Sequence, residues 1–308
     1  MDSTVLKTFI SIVESGSLVA AAEKLNVTQS TVTARINSLE QQVGQKLLRR
    51  NKSGAELTPA GAKLLRYAET MLQLWRQAKF ETSLPKGFVS VCNIGSEVDL
   101  WENIGESFLD YMAMHSPDVA LAAWPGDQGQ IERWLRTGLV DVAFCYSPIS
   151  GDAFDSQILF EDQLILVTTV RDTNSFSWGT LRDNGYIHVE HGEEFRRGHA
   201  DLLFGTETPA ISLASAEWTL DHLFTHGGAA YLSTRHLASA LAAGRLTAVP
   251  GAPSFTRRIF AVANVEITAR WSWFEEAIAV LRTKVLDNRV ALAKMSGIPE
   301  HTPAPRRD

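Results

Sequence analysis

The chain has 308 residues, of which 45% are hydrophobic and 21% are charged. This length exceeds what one hydrophobic core usually organises, so we expect two domains, and the composition argues against long disordered segments. The charge is uneven, because residues 1–87 carry 12 Lys and Arg against 7 Asp and Glu, a net +5, whereas residues 88–308 carry 17 against 28, a net −11. A basic segment ahead of an acidic body is typical of a nucleic-acid module fused to another domain.

The sequence also predicts the cellular compartment and the redox state of the cysteines. The N-terminus has no apolar core of signal-peptide kind, and no run of about 18 apolar residues is present to span a bilayer. Only Cys92 and Cys145 occur, each inside an apolar stretch that predicts a buried strand. We therefore expect a cytoplasmic protein with no membrane partner and no disulfide framework.

The first 44 residues predict three helices. Apolar residues from Val5 to Val13 recur at helical spacing and stop at Gly16, a helix breaker. Ser17 then caps a short Ala-rich helix that ends at Leu25. Thr28 is an N-cap for a third helix, which ends at Gly44. Its inward face is predicted to comprise Val32, Ile36, Leu39 and Val43.

The outward face of the third helix is polar and free of acidic residues. Short hydroxyl and amide side chains hydrogen-bond base edges in the major groove, and Arg reads guanine or binds phosphate. The predicted DNA-binding residues on this helix are Gln29, Ser30, Thr31, Thr33 and Arg35.

Residues 47–57 predict two short strands around a basic turn, which is the pattern of a wing. Arg49, Arg50 and Lys52 are three cations within four residues. Cations at a hairpin tip neutralise phosphates, which adds affinity without sequence choice. We therefore add these three residues to the predicted DNA-binding set.

A long helix is predicted over residues 58–82, followed by a linker at 83–87. Its apolar stripe is Leu64, Ala68, Met71, Trp75 and Ala78, spaced four, three, four and three. Such a stripe is typical of a dimerising helix. The alternative is an amphipathic helix that packs on its own chain.

The remaining sequence alternates strand-like and helix-like runs, which predicts an α/β body with a mainly parallel sheet. The predicted strands are 88–94, 119–124, 140–146, 158–170, 186–190, 229–232 and 258–265. The predicted helices are 98–114, 128–137, 216–226, 234–243 and 271–286. The tail from Gly297 is rich in proline and charge, and we expect it to be disordered.

The order of these motifs resembles the LysR-type transcriptional regulators. The matching stretches cover residues 4–66 almost continuously and include Ala21 to Ser30, Arg49-Arg50 and Leu57-Thr58-Pro59-Ala60-Gly61. The resemblance extends into the body at Leu135 to Ala143 and at Gly227 to Leu232. Two positions depart from the family pattern. Many members have Arg directly after the hydroxyl residue of the recognition helix, whereas this chain has Ala34 there and its Arg is Arg35. In the wing, Leu48 stands where Phe is usual.

The resemblance implies a domain plan. Residues 1–58 would form a winged helix-turn-helix DNA-binding domain, 59–87 a linker and dimerisation helix, and 88–308 an α/β effector-binding domain. This last domain would have two subdomains around a hinged cleft, as in type 2 periplasmic binding proteins, with subdomain I at about 88–161 and 265–296 and subdomain II at about 162–264. The chain would cross between them near 160–163 and 262–266.

The effector is expected at strand ends and helix starts around this cleft, where backbone N–H groups are free. Ser96 begins a stretch spaced as a capping box, and the alternative for it is a purely structural cap. The acidic residues Glu97 and Asp99 beside it favour a neutral or cationic effector. The predicted effector-binding residues are Ser96, Glu97, Trp124, Tyr146, Glu190, His191 and Trp218.

Three other hypotheses have weaker support in the sequence. His188, His191, His199, His222 and His226 invite a metal site, but no Cys accompanies them, so we expect no metal and no cofactor. Redox sensing by Cys92 and Cys145 requires reactive thiols, and buried thiols are usually inert. An enzymatic body has no supporting motif, since the nucleophile-elbow, phosphate-loop, dinucleotide and zinc-protease patterns are all missing from the sequence.

The leading prediction is therefore a regulator that binds a pseudo-palindromic promoter site on double-stranded DNA as a homodimer or homotetramer and responds to a small molecule. It would not be an enzyme. An architectural DNA-binding dimer with a vestigial pocket is the remaining alternative.

Overall fold

The computed structural model describes residues 2–51, 54–170, 185–202, 209–269 and 271–283. They form two units, Met1–Gly87 and Phe88–Asp308. No helix in the described part of the chain is both long enough and apolar enough to cross a membrane.

Three short helices form the N-terminal half of the first unit, as predicted: α1 (Ser3–Ser15), α2 (Leu18–Lys24) and α3 (Gln29–Val43). Ser17 Oγ accepts hydrogen bonds from the backbone N–H groups of Val19 and Ala20, so it caps α2 as expected. Helices α1 and α3 end at Gly16 and Gly44, both in the left-handed conformation that glycine adopts without strain. Val43 is exposed, so its assignment to the inward face was wrong.

A two-stranded hairpin and a long helix complete the first unit. Strands β1 (Leu48–Asn51) and β2 (Gly54–Leu57) pair antiparallel, and α4 follows at Pro59–Thr82. The shared core consists of apolar side chains from all of these elements, including Phe9, Ile36, Leu47 and Ala68.

The second unit is built on a nine-stranded sheet with the order β4-β3-β5-β11-β6-β9-β7-β8, in which β10 pairs with β6. The strands are β3 (Ser90–Ser96), β4 (Val119–Pro125), β5 (Val142–Cys145), β6 (Phe154–Thr168), β7 (Tyr186–Val189), β8 (Ile211–Leu213), β9 (Ala229–Ser233), β10 (Thr247–Ala248) and β11 (Phe255–Asn264). The helices are α5 (Val98–Leu100), which is followed by a kinked segment at Trp101–Gly105, α6 (Glu106–His115), α7 (Gln128–Thr137), α8 (Glu193–Leu202), α9 (Ala216–His226), α10 (Thr234–Ala242), α11 (Val265–Thr268) and α12 over 274–283.

The sheet is mixed, which corrects the expectation of a mainly parallel one. Strand β3 is parallel to β4 and β5, and β7 is parallel to β8 and β9. The long strands β6 and β11 are antiparallel to each other, and each is antiparallel to its other main neighbour, β9 and β5 respectively. A chain that passes from one half of the sheet to the other and returns must place two strands of opposite direction in the middle.

Separate hydrophobic cores lie on either side of these two strands. We call β3–β5 with α5–α7 and α12 the first lobe, and β7–β10 with α8–α10 the second lobe. The first lobe packs around residues such as Phe108 and Phe144, and the second around residues such as Val189 and Leu232. From Phe260 onward β11 already pairs with β5. The crossings between the subdomains near 160–163 and 262–266 stay a prediction.

The predicted helix over 98–114 is interrupted. Glu102 has an extended ψ of 130°, and Asn103 has a φ of 70°, a conformation that Asn tolerates better than most residues. The short elements α8, β8, β10 and α11 were not predicted. The predicted disorder from Gly297, and the residues beyond 283 assigned to subdomain I, lie outside the described residues.

Candidate nucleic-acid interface and ligand cleft

The start of α3 presents polar side chains to solvent. Thr28 Oγ1 accepts a hydrogen bond from the Thr31 backbone N–H at 3.2 Å and lies 2.8 Å from Ser30 Oγ and 2.9 Å from Thr31 Oγ1. Gln29 and Ser30 are exposed, whereas Thr31 and Thr33 are half-buried. The capping network thus fixes the first turn of α3 and leaves the side-chain amide of Gln29 exposed to solvent.

Arg35 has a different environment from the other predicted contact residues of α3. It is half-buried, and its Nη1 donates to Thr8 Oγ1 on α1 at 3.2 Å. Thr8 is fully buried and donates in turn to the Thr4 carbonyl. Arg35 therefore ties α3 to α1 in this structure, and its guanidinium is not directed away from the protein.

Glu40 links α3 to the wing, a role that the sequence did not reveal. Its carboxylate accepts hydrogen bonds from the backbone N–H groups of Leu47 and Leu48 at 2.9 and 3.3 Å and from Lys46 Nζ at 2.6 Å. Burial alone would raise the pKa of Glu40, but these hydrogen bonds hold it below its ordinary value. Of the predicted wing cations, Arg49 is exposed on β1. Lys52 and the side chain of Arg50 lie outside what the structure describes.

The Leu-Thr-Pro-Ala-Gly motif joins the wing to α4. Thr58 Oγ1 donates to the Lys46 carbonyl at 2.6 Å and accepts from the Gly61 N–H at 3.0 Å. A Cβ on Gly61 would lie only 2.1 Å from the Leu47 carbonyl oxygen, so only glycine allows this close approach.

The predicted stripe on α4 divides into two parts. Ala68 is buried in the core of the first unit, with Leu64 packed against it. Met71 and Trp75 are exposed. Tyr67 and Leu74 are exposed beside them, so an apolar face with spacings of four, three and one remains uncovered on this unit: Tyr67, Met71, Leu74 and Trp75.

The middle of the second unit contains a buried ionic cluster centred on Asp162 of β6. Ser233 Oγ donates to Asp162 Oδ1 at 2.6 Å, Arg235 Nε to Oδ1 at 3.3 Å, and Arg257 Nε to Oδ2 at 3.1 Å. Asp162 is 1% exposed, and both arginines are buried. Burial alone would raise the pKa of Asp162, but the charges of Arg235 and Arg257 hold it well below its ordinary value.

Arg257 extends this cluster to two predicted effector residues. Its guanidinium carbon lies 3.8 Å from the centre of the Tyr146 ring, and its Nη1 lies 3.2 Å from His191 Nδ1. His191 Nε2 is 2.7 Å from the Tyr231 carbonyl oxygen, which can only accept. His191 is therefore neutral, with its proton on Nε2. Burial, together with the charge of Arg257, lowers its pKa accordingly.

Two cavities lie between the lobes. The basic cavity, about 530 Å³, is lined by three arginines, one acidic residue and several neutral residues: Arg197, Arg257, Arg258, Glu194, His191, Gly192, Tyr146, Ser147, Pro148 and Phe260. The acidic cavity, about 790 Å³, is lined by five carboxylates and by aromatic and polar residues: Asp99, Glu102, Glu106, Glu217, Asp221, Trp101, Trp124, Phe224, His236, Ser96, Ser215, Ser239, Val98, Ala123, Pro125 and Leu220.

These cavities separate the predicted effector residues. Ser96 and Trp124 line the acidic cavity, and Tyr146 and His191 line the basic one. Glu97 lines neither of the two but accepts a hydrogen bond from the Tyr146 backbone N–H at 2.9 Å. Glu190 is exposed and pairs with Arg196 at 3.2 Å. Trp218 is 59% exposed and lines neither of the two cavities.

The capping role predicted for Ser96 was wrong. Ser96 is the last residue of β3, and its Oγ donates to the Glu97 carbonyl at 2.9 Å instead of capping α5. Asp99, the other end of the predicted capping box, reaches the second lobe, where its Oδ1 accepts from the Ala216 N–H at 2.9 Å. Asp99 thus connects the two lobes at the start of α9.

The remaining sequence hypotheses concern cysteine and histidine. Burial raises the pKa of both Cys92 and Cys145, which keeps them as unreactive thiols. Among the described residues, no group of three or more His, Cys, Asp and Glu side chains is arranged to hold a metal ion.

Three buried histidines predict that the second unit loses stability at mildly acidic pH. Burial lowers the pKa of His191, of His199 to about 4 and of His236 to about 3. In the unfolded chain these histidines have the ordinary pKa of about 6.5 and bind protons below that pH, whereas in the folded chain they stay neutral to a lower pH. The free energy of unfolding should fall by about 1 kcal/mol for each histidine from about pH 7 to about pH 5.5.

Urea unfolding of this unit at the two pH values measures the effect. His199→Phe should reduce the pH dependence, because one histidine with a lowered pKa is lost. A midpoint that does not move with pH would contradict the prediction.

Comparison with known proteins identifies the class. Residues 4–62 match the model of the bacterial regulatory helix-turn-helix protein, lysR family, and residues 108–279 match the LysR substrate binding domain. The chain belongs to the LysR family of bacterial transcriptional regulators. It is a DNA-binding regulator with a C-terminal effector-binding domain, which confirms the resemblance inferred from the sequence.

Similar curated proteins carry the same description. The chain is 30% identical over 240 residues to the HTH-type transcriptional regulator HdfR of Yersinia pestis, covering 75% of this chain and 81% of the relative. It is 29% identical over 268 residues to the HdfR of Escherichia coli, covering 85% and 91%.

Solved structures show the same fold. CbnR, a LysR family transcriptional regulator, aligns with a TM-score of 0.67 at 19% identity, covering 92% of this chain and 99% of CbnR. Vibrio fischeri DarR in complex with DNA aligns with a TM-score of 0.55 at 18% identity, covering 92% and 99%.

Proposed function

We propose that this regulator binds a pseudo-palindromic promoter site as a homodimer or homotetramer, with one α3 helix in the major groove at each half-site. The observation that carries this proposal is the exposed, acid-free start of α3, whose first turn is fixed by Thr28. DarR and CbnR are described in complex with DNA, which supports the same use of the fold here.

In this proposal the residues of the head divide into two roles. Gln29, Ser30 and Thr33 read base edges, and Thr31 assists from the capping network. Arg49, with Arg50 and Lys52 of the wing, neutralises phosphates. Arg35 acts mainly by holding α3 against α1, because its guanidinium is already bonded to Thr8.

The second unit would supply the response to a small molecule. Its division into subdomains at about 88–161 with 265–296 and at about 162–264 remains our proposal, as does effector binding in the cleft between them. Ligand binding can shift the arrangement of the lobes only through its different affinity for the two states. The hydrogen bond between Asp99 and Ala216, which joins the lobes, is one described contact that such a shift would alter.

We further propose that the protein acts by binding alone, in the cytoplasm where bacterial DNA lies, and carries no catalytic centre. The buried polar groups of the cleft support this reading. Asp162 pairs with both Arg235 and Arg257, and His191 is held between Arg257 and a carbonyl, so these groups are engaged in structure.

Substitutions in the head test the proposed DNA contacts. We expect Gln29→Ala to weaken binding to the promoter site by about 1–3 kcal/mol while binding to unrelated DNA is unchanged, because only a base contact is lost. Arg49→Ala should weaken binding to both DNAs and reduce the salt dependence by about one unit of slope.

Fluorescence anisotropy with promoter and scrambled duplexes, at several salt concentrations, measures both effects. Asn37→Ala, on an exposed later turn of α3, is the matched control. Equal losses on both duplexes for Gln29→Ala would contradict base recognition by that residue. An effector that leaves promoter binding unchanged at saturation would favour the architectural alternative.

A further inference from the structure

The acidic cavity carries charge of one sign on both of its walls. Asp99, Glu102 and Glu106 come from the first lobe, and Glu217 and Asp221 come from α9 of the second. No Lys or Arg is among the described residues that line it. An anionic ligand would meet repulsion from both walls, whereas a cation would be attracted to both.

The carboxylates also act on one another. Burial raises the pKa of Glu102, and the negative charges of Glu106 and Glu217 raise it further, against the opposing positive charge of Arg235. Burial likewise raises the pKa of Asp99. Bringing a positive charge into the cavity would relieve this repulsion.

An unsatisfied buried group points independently to a missing partner. His236 lines the cavity with a side chain that is only 3% exposed, and its Nε2 lies 3.6 Å from Glu102 Oε2. Its Nδ1 is buried and has no hydrogen-bond partner among the described residues. Buried polar atoms in folded proteins are nearly always paired, so a ligand that brings a hydrogen-bonding group to His236 would complete this site.

The aromatic lining and the spread of the carboxylates decide the kind of cation. Trp101, Trp124 and Phe224 line the cavity, and the Arg245 guanidinium already lies 4.1 Å from the centre of the Phe224 ring. Aromatic faces attract organic cations and cover their hydrocarbon parts. The carboxylates do not converge on a metal-binding geometry in the described part of the chain.

We propose that the acidic cavity binds an organic dication, of the class of aliphatic diamines, whose two ammonium groups contact carboxylates of opposite lobes. Its hydrocarbon chain would lie against Trp124. This inference rests on the proposed function, in which the cleft holds the effector. Such a ligand bridges the lobes beside the Asp99–Ala216 hydrogen bond and so stabilises the closed cleft.

Calorimetric titration of the full-length protein tests the inference. The probes are 1,4-diaminobutane and 1,5-diaminopentane, with 1,4-butanediol and succinate as uncharged and anionic analogues. Of these four probes, we expect only the diamines to bind, and added salt should lower their affinity. Glu102→Gln and Glu217→Gln, one on each wall, should each weaken it about fivefold. Asp152→Asn, an exposed acid outside the cavity, should leave it unchanged.

The outcomes separate this inference from the proposed function. Binding of the diol or succinate without the diamines, binding of neither diamine, or diamine binding that both Gln variants leave intact would each overturn it. A compound of another class that changes promoter binding, with no diamine bound, would leave the proposed function standing. Diamine binding that never changes promoter binding would support the cation site and contradict the effector role.

Discussion

Replacing Asp162 with alanine is expected to lower the free energy of unfolding of the second unit by about 3–5 kcal/mol. The substitution removes the carboxylate that pairs with Arg235 and Arg257. Both guanidinium groups would then remain in the protein interior without that partner. Removing one partner of a buried ion pair leaves the other charge in the interior without compensation. The loss of stability therefore exceeds that from breaking an ordinary surface ion pair.

The adjacent residue of β6 supplies a matched control. Glu161 is exposed and lies 3.9 Å from Arg258, so Glu161→Ala should change stability by no more than about 0.5 kcal/mol. Chemical unfolding followed by tryptophan fluorescence compares the two variants. If they unfold at the same denaturant concentration, other groups compensate the arginines and the central role of Asp162 is wrong.

The same carboxylate predicts the behaviour of this unit in acid. Because the folded pKa of Asp162 is depressed, its stabilising contribution is complete above the ordinary aspartate pKa of about 3.9 and is lost as the pH falls below it. Asp162→Ala should therefore remove part of the acid sensitivity of the protein in that range, separately from the histidine effect at higher pH.

The N-terminal head was predictable because its signals are local. Ser17 and Thr28 cap helices a few residues away, Gly16 and Gly44 end helices at their own positions, and the apolar spacing marks each buried face. Arg35 was harder, since its partner Thr8 lies 27 residues earlier and no local pattern links them.

The ionic cluster of the second unit could not be assembled from the sequence. Asp162 meets Arg235 and Arg257 across 73 and 95 residues, and only the sheet order brings β6, β11 and the start of α10 together. One signal was present, because Asp162 lies within a strand that is otherwise apolar on its inward side. A charge in such a position requires a buried partner, although the sequence does not name it.

The cleft was predicted in outline but not in its division. Strand ends and helix starts correctly pointed to Ser96, Trp124, Tyr146 and His191 as residues that line interlobe cavities. That the first two line one cavity and the last two another could not be predicted, because it depends on how residues distant in the chain pack together.

Introducing glutamate at both Met71 and Trp75 is expected to abolish dimerisation and to weaken promoter binding by about 100-fold or more. The two side chains belong to the uncovered apolar face of α4, and charges there would be buried if two α4 helices packed together. A monomer loses the gain in affinity that comes from binding two half-sites through linked heads.

Analytical ultracentrifugation gives the oligomeric state, and anisotropy with a complete site and a single half-site gives the DNA affinity. Gln73→Glu adds one negative charge to α4 two residues from both Met71 and Trp75, on the opposite side of the helix, and should remain oligomeric. The double variant should bind the half-site as well as the unchanged protein does, because its head is intact. A double variant that stays dimeric would instead favour α4 packing on its own chain, and the dimer interface would have to lie elsewhere.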